Sequence, residues 1–461
     1  MLFSGITFLY FFLPFMALYF IIPKSWKNAF LLATSFLFYF FGEPIYVSLL
    51  IFSSIVDWTH GLFIEAHRGE KCTKYALISS IVINVALLGI FKYADFFIST
   101  INGIFGAKIP LTHISLPIGI SFFTFQTMSY TIDAYRGKAS AQRNFSSFMT
   151  YVCLFPQLIA GPIVRYTDVA KELESRETKV SLIAEGIRRF SVGLGKKVLI
   201  ANLLGELCAN FNATDEKSVL FYWIYAISFT LQIYFDFSGY SDMAIGLGKM
   251  FGFNFPENFN YPFISKSISE FWRRWHMTLG GWFRDYVYIP LGGNRVTPIK
   301  WVRNLAVVWL LTGFWHGASW NFILWGAVFG VLLAIEKLFL GKALEKSPKA
   351  IGHIYTLFFV LMSFVIFNAN NIGEVAENFK GMFGALDVPF KNSITLYNLR
   401  SYAVILAVAV IGSTRIPKKL WNSYNKGSDT ILEPLGTVII LLVSTAFIIN
   451  GSFNPFLYFR F

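Results

Sequence analysis

Apolar runs of membrane-spanning length recur along almost the whole chain, and no other feature constrains its fold as tightly. A helix needs about 20 mostly apolar residues to cross about 30 Å of hydrocarbon, and about eleven stretches meet or approach that length. They fall near residues 6–22, 28–42, 45–63, 76–95, 114–134, 147–164, 188–206, 217–236, 302–316, 319–340 and 354–369, with two further candidates near 400–413 and 434–450. The sequence therefore predicts an all-α, polytopic transmembrane bundle of about 11–13 hydrophobic segments, some of them re-entrant or interfacial. Composition agrees: 55% of residues are hydrophobic and 14% charged, against about 45–50% and about 25% in soluble domains. Such a chain cannot cover a core with water-compatible surface. Membrane helices form one lateral bundle, so residues 1–461 read as a single domain. The polar stretches at 170–181, 341–353, 384–398 and 415–432 are too short to fold alone. No fixed-period repeat or low-complexity tract appears, which removes solenoids and disordered tails.

The first run has no basic residue before it and no small-residue cleavage pattern after it, so it reads as a retained helix rather than a signal peptide. The net charge of +13 sits in short loops between apolar runs. Cytoplasmic anchoring and contact with lipids explain that placement better than nucleic-acid binding does. Lys24, Lys27, Arg68, Lys71 and Lys74 lie in the loops after the first and third runs, which puts those loops in the cytoplasm and Met1 on the outer side. Cys72, Cys153 and Cys208 are too few and too scattered for a disulfide framework or a thiolate site and read as packing residues.

Between Asp236 and Trp325 polar groups, glycines and tryptophans crowd into hydrophobic positions. Irregular backbone at membrane depth is tolerated only where it is buried in protein or lines a cavity. Tyr234 to Met243 ends an apolar run with Asp236 and Asp242 flanking Gly239; each carboxylate is a helix cap or part of an ion or proton site. From Ser269 to Asp285 a helix would place Phe271, Trp275, Leu279 and Trp282 on one face and Arg274, Thr278 and Asp285 on another. That pattern predicts an interfacial helix whose Arg273, Arg274 and Arg284 either anchor it to phosphates or attract an anionic donor. His276 within it reads as a hydrogen-bonded residue close to water or as a catalyst. Tyr288 to Arg295 is a turn written by Pro290, Gly292, Gly293 and Asn294, without the lysine and hydroxyl spacing of a phosphate loop. Finally, Thr312 to Phe322 interrupts apolar sequence with His316. An intramembrane ionisable residue is a functional candidate by default, although a satisfied packing histidine fits as well. Gly313 and Gly317 let a backbone or a ligand approach, and no second histidine or cysteine stands at metal-ligand spacing. Upstream, two prolines and a glycine between Phe155 and Tyr166 predict a broken or re-entrant element able to wall a cavity, with Gln157 facing in.

In this order the motifs Phe-Pro-Gln-Leu-Ile-Ala-Gly-Pro (155–162), Asp-Phe-Ser-Gly-Tyr-Ser-Asp-Met-Ala (236–244), Phe-Trp-Arg-Arg-Trp-His-Met-Thr-Leu (271–279) and Thr-Gly-Phe-Trp-His-Gly-Ala-Ser-Trp-Asn-Phe (312–322) resemble the membrane-bound O-acyltransferase family. Tyr-Ile-Pro-Leu-Gly-Gly-Asn at 288–294 and the terminal Phe-Leu-Tyr-Phe-Arg-Phe at 456–461 are most similar to its bacterial alginate O-acetylation branch, with Arg460 where that branch has Gln. The D-alanyl transferases of teichoic acid assembly are more distantly similar, through Trp282 to Asp285. The resemblance implies a ring of helices around a thin core with funnels on both faces, catalytic His316, and His276 as a second active-site residue. It also implies a bacterial cell-membrane location and an extracytoplasmic partner protein that passes the acyl group to a polysaccharide.

On that footing an acyl thioester, acetyl-CoA foremost and with no bound cofactor, docks its anionic carrier near Arg273, Arg274 and Arg284. Only its acyl end enters the thin core. His316 takes the acceptor's proton, and Asn321 or His276 donates to the oxyanion, with Asp236 and Gln157 as further substrate contacts. A polysaccharide or lipid-linked sugar transporter is the competing expectation, because broken helices and midplane polar groups also mark transport sites. An assembly platform with a dispensable His316 is the third.

Overall fold

The computed structural model describes residues 3–424, 431–451 and 456–457. Met1, whose side of the membrane the loop charges predict, and Arg460 lie outside the described residues. The elements in order are α1 (Ile6–Ile21), α2 (Lys27–Phe40), α3 (Val47–Ala66), α4 (Lys71–Leu88), α5 (Ala94–Phe105), α6 (Ile120–Tyr135), α7 (Phe145–Cys153), α8 (Phe155–Leu158), α9 (Tyr166–Glu174), α10 (Val180–Gly195) and α11 (Asn202–Ala213). They continue with α12 (Val219–Met250), α13 (Ile268–Trp272), α14 (Met277–Phe283), α15 (Pro298–His316), α16 (Trp320–Ile335), α17 (Gly341–Lys346), α18 (Lys349–Asn368), α19 (Ile372–Met382), α20 (Ser393–Gly412), α21 (Ile416–Tyr424) and α22 (Leu432–Asn450). Among the described residues there is no strand, so the protein is an all-helical polytopic bundle.

Seven helical stretches among the described residues are long and apolar enough to cross a bilayer: Val47–Ala66, Lys71–Phe105, Val219–Met250, Trp320–Lys346, Lys349–Asn368, Ser393–Gly412 and Leu432–Asn450. The remaining apolar runs of the sequence form helices that fall short of this standard in length or apolarity. Residues 147–164 show why. The chain leaves α7 at Leu154, makes the single turn of α8 with Pro156 inside it, and turns at Gly161, whose φ of 105° lies in the left-handed region. This is the broken element that the two prolines predict.

The chain divides into two compact units, Met1–Phe190 with Tyr240–Glu257, and Ser191–Gly239 with Asn258–Phe461. In the first, α3, α4 and α6 share a buried polar knot. The Asp57 carboxylate on α3 accepts from Ser80 Oγ at 2.5 Å, from Asn84 Nδ2 at 2.8 and 3.1 Å, and from Thr131 Oγ1 at 3.2 Å. Four donor contacts on its two oxygens satisfy a polar group that would otherwise be costly in an apolar bundle. Elsewhere in this unit Phe8, Phe12, Phe15, Phe38 and Phe155 line an apolar cavity of about 100 Å³.

In the second unit, α15 and α16 form a tight antiparallel hairpin. A Cβ on Gly313 would stand 2.3 Å from the Phe322 carbonyl, and one on Gly326 would stand 2.3 Å from the Trp309 carbonyl. The two glycines therefore let the backbones meet, which settles the approach at Gly313 as helix on helix. Gly317 is closed in the same way by the Phe322 ring, at 2.2 Å from where a Cβ would sit.

Two expectations need correcting here. The run ending at residue 236 does not end there, because α12 continues through Asp236, Gly239 and Asp242 to Met250. Neither aspartate is a cap. Each is buried or nearly so and paired within its own unit, Asp236 with Lys197 at 2.5 Å and Asp242 with Arg189 at 2.9 Å. Nor is 269–285 one continuous helix. The chain leaves α13 at Trp272, turns through Arg273 to Trp275, and passes His276 at φ 44° before α14 begins. The apolar residues assigned to one face, Phe271, Trp275, Leu279 and Trp282, are nevertheless all buried.

Candidate active site

The second unit brings together both histidines singled out in the sequence. His316 closes α15 immediately before the chain turns into α16, and His276 stands between α13 and α14. His316 is 5% exposed and His276 1%, so His276 is no water-facing residue of an interface. The two rings are near enough to interact electrostatically.

His276 is held by its surroundings from several sides. Glu336, just beyond α16, accepts from the backbone N–H groups of Ile268 at 2.5 Å and Ser269 at 2.9 Å, and from Ser269 Oγ at 2.6 Å. A carboxylate there satisfies the orphan donors at the start of α13. Ser267 adds a side-chain cap to Glu270 N at 3.0 Å. Asn258 Oδ1 then accepts from Thr278 Oγ1 at 2.9 Å and contacts His276 Nδ1 at 3.0 Å. An amide oxygen only accepts, so His276 carries its proton on Nδ1 and a lone pair on Nε2. Nε2 is buried with no hydrogen-bond partner among the described residues. Burial, and secondarily His316, hold this imidazole well below the ordinary histidine range, so it is neutral. Phe237 stands against it edge-on, at 4.7 Å between ring centroids.

His316 is oriented in the same way. Its Nδ1 lies 2.6 Å from the Thr312 carbonyl, one turn back along α15. The N–H must donate, so in the neutral ring Nε2 carries the lone pair. Around it packs an aromatic nest: Trp325 at 4.8 Å and Phe367 at 5.5 Å from the His316 ring, with Phe322 and Trp315 beside them.

The other predicted residues have more local duties. Asn321 Nδ2 donates to the carbonyl of Ala369 at 2.7 Å and more weakly to Ile366 at 3.3 Å, tying the start of α16 to the end of α18. Its N–H groups are thus occupied, and neutral His276 presents a lone pair, so neither residue is placed to donate to an oxyanion. Asp236, paired with Lys197, also accepts from Leu457 N at 2.8 Å, and its charge is balanced inside the protein. Arg274 bonds Glu270 at 2.8 Å and Arg284 bonds Asp285 at 2.8 Å. Arg273 is exposed and has no ion-pair partner among the described residues. Gln157, in the first unit, is fully buried and donates to the Tyr151 carbonyl at 2.5 Å. Among the described residues no three of His, Cys, Asp or Glu gather to hold a metal.

Sequence reasoning missed Asn258, Glu336, Lys197 and Trp325. Glu336 and Lys197 carried a usable signal, an ionisable group inside an apolar stretch.

A multi-pass helical bundle that buries two oriented imidazoles near one another, that of His276 held neutral, has the equipment for proton transfer. Residues 101–373, more than half of the chain, match the model of "MBOAT, membrane-bound O-acyltransferase family", and the chain belongs to that family. It is a membrane acyltransferase, working on an acyl donor. Along its full length it is 39% identical to a probable alginate O-acetylase AlgI of Azotobacter vinelandii, covering 100% of both chains. It is also 32% identical to a peptidoglycan O-acetyltransferase of Helicobacter pylori, covering 100% of this chain and 98% of that one. A teichoic acid D-alanyltransferase of Bacillus subtilis is 31% identical over 54% of this chain and 68% of its own.

Proposed function

We propose that this protein is a bacterial cell-membrane O-acetyltransferase that takes an acetyl group from a cytoplasmic thioester, acetyl-CoA, and delivers it for O-acetylation of a polysaccharide outside. Its N-terminus lies on the outer side, and an extracytoplasmic partner protein completes the transfer. The observation that carries this reading is the hydrogen bond from His316 Nδ1 to the Thr312 carbonyl at 2.6 Å, which leaves Nε2 as the basic nitrogen of a buried ring. The names of the relatives support the acetyl group and the glycan class of acceptor.

The chemistry follows from that tautomer. The acceptor hydroxyl gives its proton to His316 Nε2 as its oxygen attacks the thioester carbonyl. A general base in that position contributes about 10²- to 10⁴-fold. As the tetrahedral intermediate collapses, the C–S bond breaks and the departing thiolate takes the proton from the imidazolium, leaving ester and thiol. Arg273, with Arg274 and Arg284 re-pairing from their carboxylates, meets the anionic carrier, so that only the neutral acyl end travels into the protein. His276 Nε2 accepts a hydrogen bond from the incoming acceptor or an attendant water and orients it.

Reconstituted in sealed vesicles with radiolabelled acetyl-CoA at the cytoplasmic face, wild type consumes the thioester. His316→Ala, inserted and folded, falls by about 10²-fold or more. An active His316→Ala protein would overturn the assignment.

A further inference from the structure

The reaction places negative charge on the thioester carbonyl oxygen, and a buried donor must meet it. Asn321 spends its N–H groups on main-chain carbonyls, and neutral His276 has only a lone pair to offer. Trp325 supplies what they do not. It is 1% exposed, among the largest fully buried side chains, and its indole Nε1–H has no hydrogen-bond partner among the described residues. A buried N–H left unsatisfied is costly, and native proteins carry few of them. This one belongs to the ring that stands against His316, at 4.8 Å between centroids and 66° between planes. The ring itself is locked: Phe329, Phe367 and Trp272 pack on it at 5.2, 5.3 and 5.7 Å, and Gly326, next in sequence, is pressed against α15. The donor is therefore fixed before substrate arrives, which is the condition under which an oxyanion contact is worth most.

We propose that Trp325 is a catalytic residue of the acyl transfer, its indole N–H donating to the thioester carbonyl oxygen as that oxygen becomes an oxyanion. This rests on the reading of His316 as the base. As the acceptor oxygen bonds to the carbonyl carbon and its proton passes to His316 Nε2, the carbonyl π pair moves onto oxygen and is held by Trp325 Nε1–H. The pair returns when the C–S bond breaks.

Trp325→Phe keeps an aromatic ring in the nest and removes the donor. In the vesicle assay its kcat falls by about 10²- to 10³-fold, the loss seen when one oxyanion donor is removed, while KM for acetyl-CoA stays within about twofold, as befits a contact made only in the transition state. Trp223→Phe is the control. Its indole N–H donates to the Met382 carbonyl at 2.8 Å and its ring packs on Phe383 at 5.7 Å, so removing it leaves kcat near wild type. Replacing Trp325 with 3-benzothienylalanine, in which sulfur stands for the N–H in a bicycle of the same shape, reproduces the kcat loss with an unchanged Tm even where phenylalanine disturbs folding. Full turnover in the benzothienyl protein, or a loss confined to Tm, would overturn the proposal and leave the N–H as part of aromatic packing. If wild type is itself inert toward the thioester, the functional reading falls and this inference with it.

Discussion

His276 shows what a single residue's surroundings can do to its chemistry. The sequence places it among tryptophans and arginines in an interfacial pattern, yet it is almost wholly buried and neutral, its Nδ1–H given to Asn258. The sign of the resulting pH effect follows directly. A histidine whose folded pKa is depressed takes up its proton more readily in the unfolded chain, so the unfolded state gains protons as pH falls below the ordinary value near 6.5. Wild type should therefore lose Tm on going from pH 7 to 5.5 more steeply than His276→Gln, which has no imidazole to protonate. Thermal melts in detergent across that range test it, and parallel curves would contradict the buried, neutral assignment. Asp236 is the complementary case. A carboxylate at membrane depth was legible as a special group, but its use was not, because Lys197 lies on a different helical segment and the apolar pattern gives no sign of their pairing.

Among the elements, the α15–α16 hairpin carries most of the site, and its glycines set how closely the two helices pack. Gly313→Ala puts a methyl group 2.3 Å from a backbone carbonyl of the facing helix, which no side-chain rotation relieves. The hairpin must open, at a cost of about 1–3 kcal/mol for forced overpacking, and the His316–Trp325 contact must loosen with it. The expected result is a lowered Tm together with reduced turnover. Gly436→Ala on α22, where a Cβ meets nothing within 4 Å, should change neither. Of this element the sequence revealed the apolar runs, the histidine at their junction and the small residues. It also revealed the broken element at Pro156 and the turn at Gly292 and Gly293, since proline and glycine act locally on their own backbone. The break between α13 and α14 was not legible. It falls in residues that would serve in a helix, and a carboxylate from beyond α16 holds the start of α13.

For the whole molecule, the proposed orientation has a direct test in the native cysteines. Cys72 is partly exposed beside Glu70 at the start of α4, while Cys153 and Cys208 are buried. With the α3–α4 loop in the cytoplasm, a membrane-impermeant maleimide should label Cys72 in inverted vesicles and leave it unlabelled in right-side-out ones. The reverse pattern would turn the molecule over, and with it the face at which the thioester enters.

What the sequence determined by itself is what the lipid solvent demands residue by residue: long apolar helices, charge kept to the loops, and ionisable groups at depth only where something requires them. Hydropathy sums along the chain, so these properties need no knowledge of which helix meets which. The tautomer of His276, the pairing of Lys197 with Asp236, and the placement of the Trp325 donor were decided by tertiary structure alone. Each depends on a hydrogen bond, an ion pair or a packed ring, and nearly all of these join different segments. Ile268 and Glu336, for example, meet across 68 residues of sequence. Such short-range contacts come into being only when packing brings their atoms to within a few ångströms.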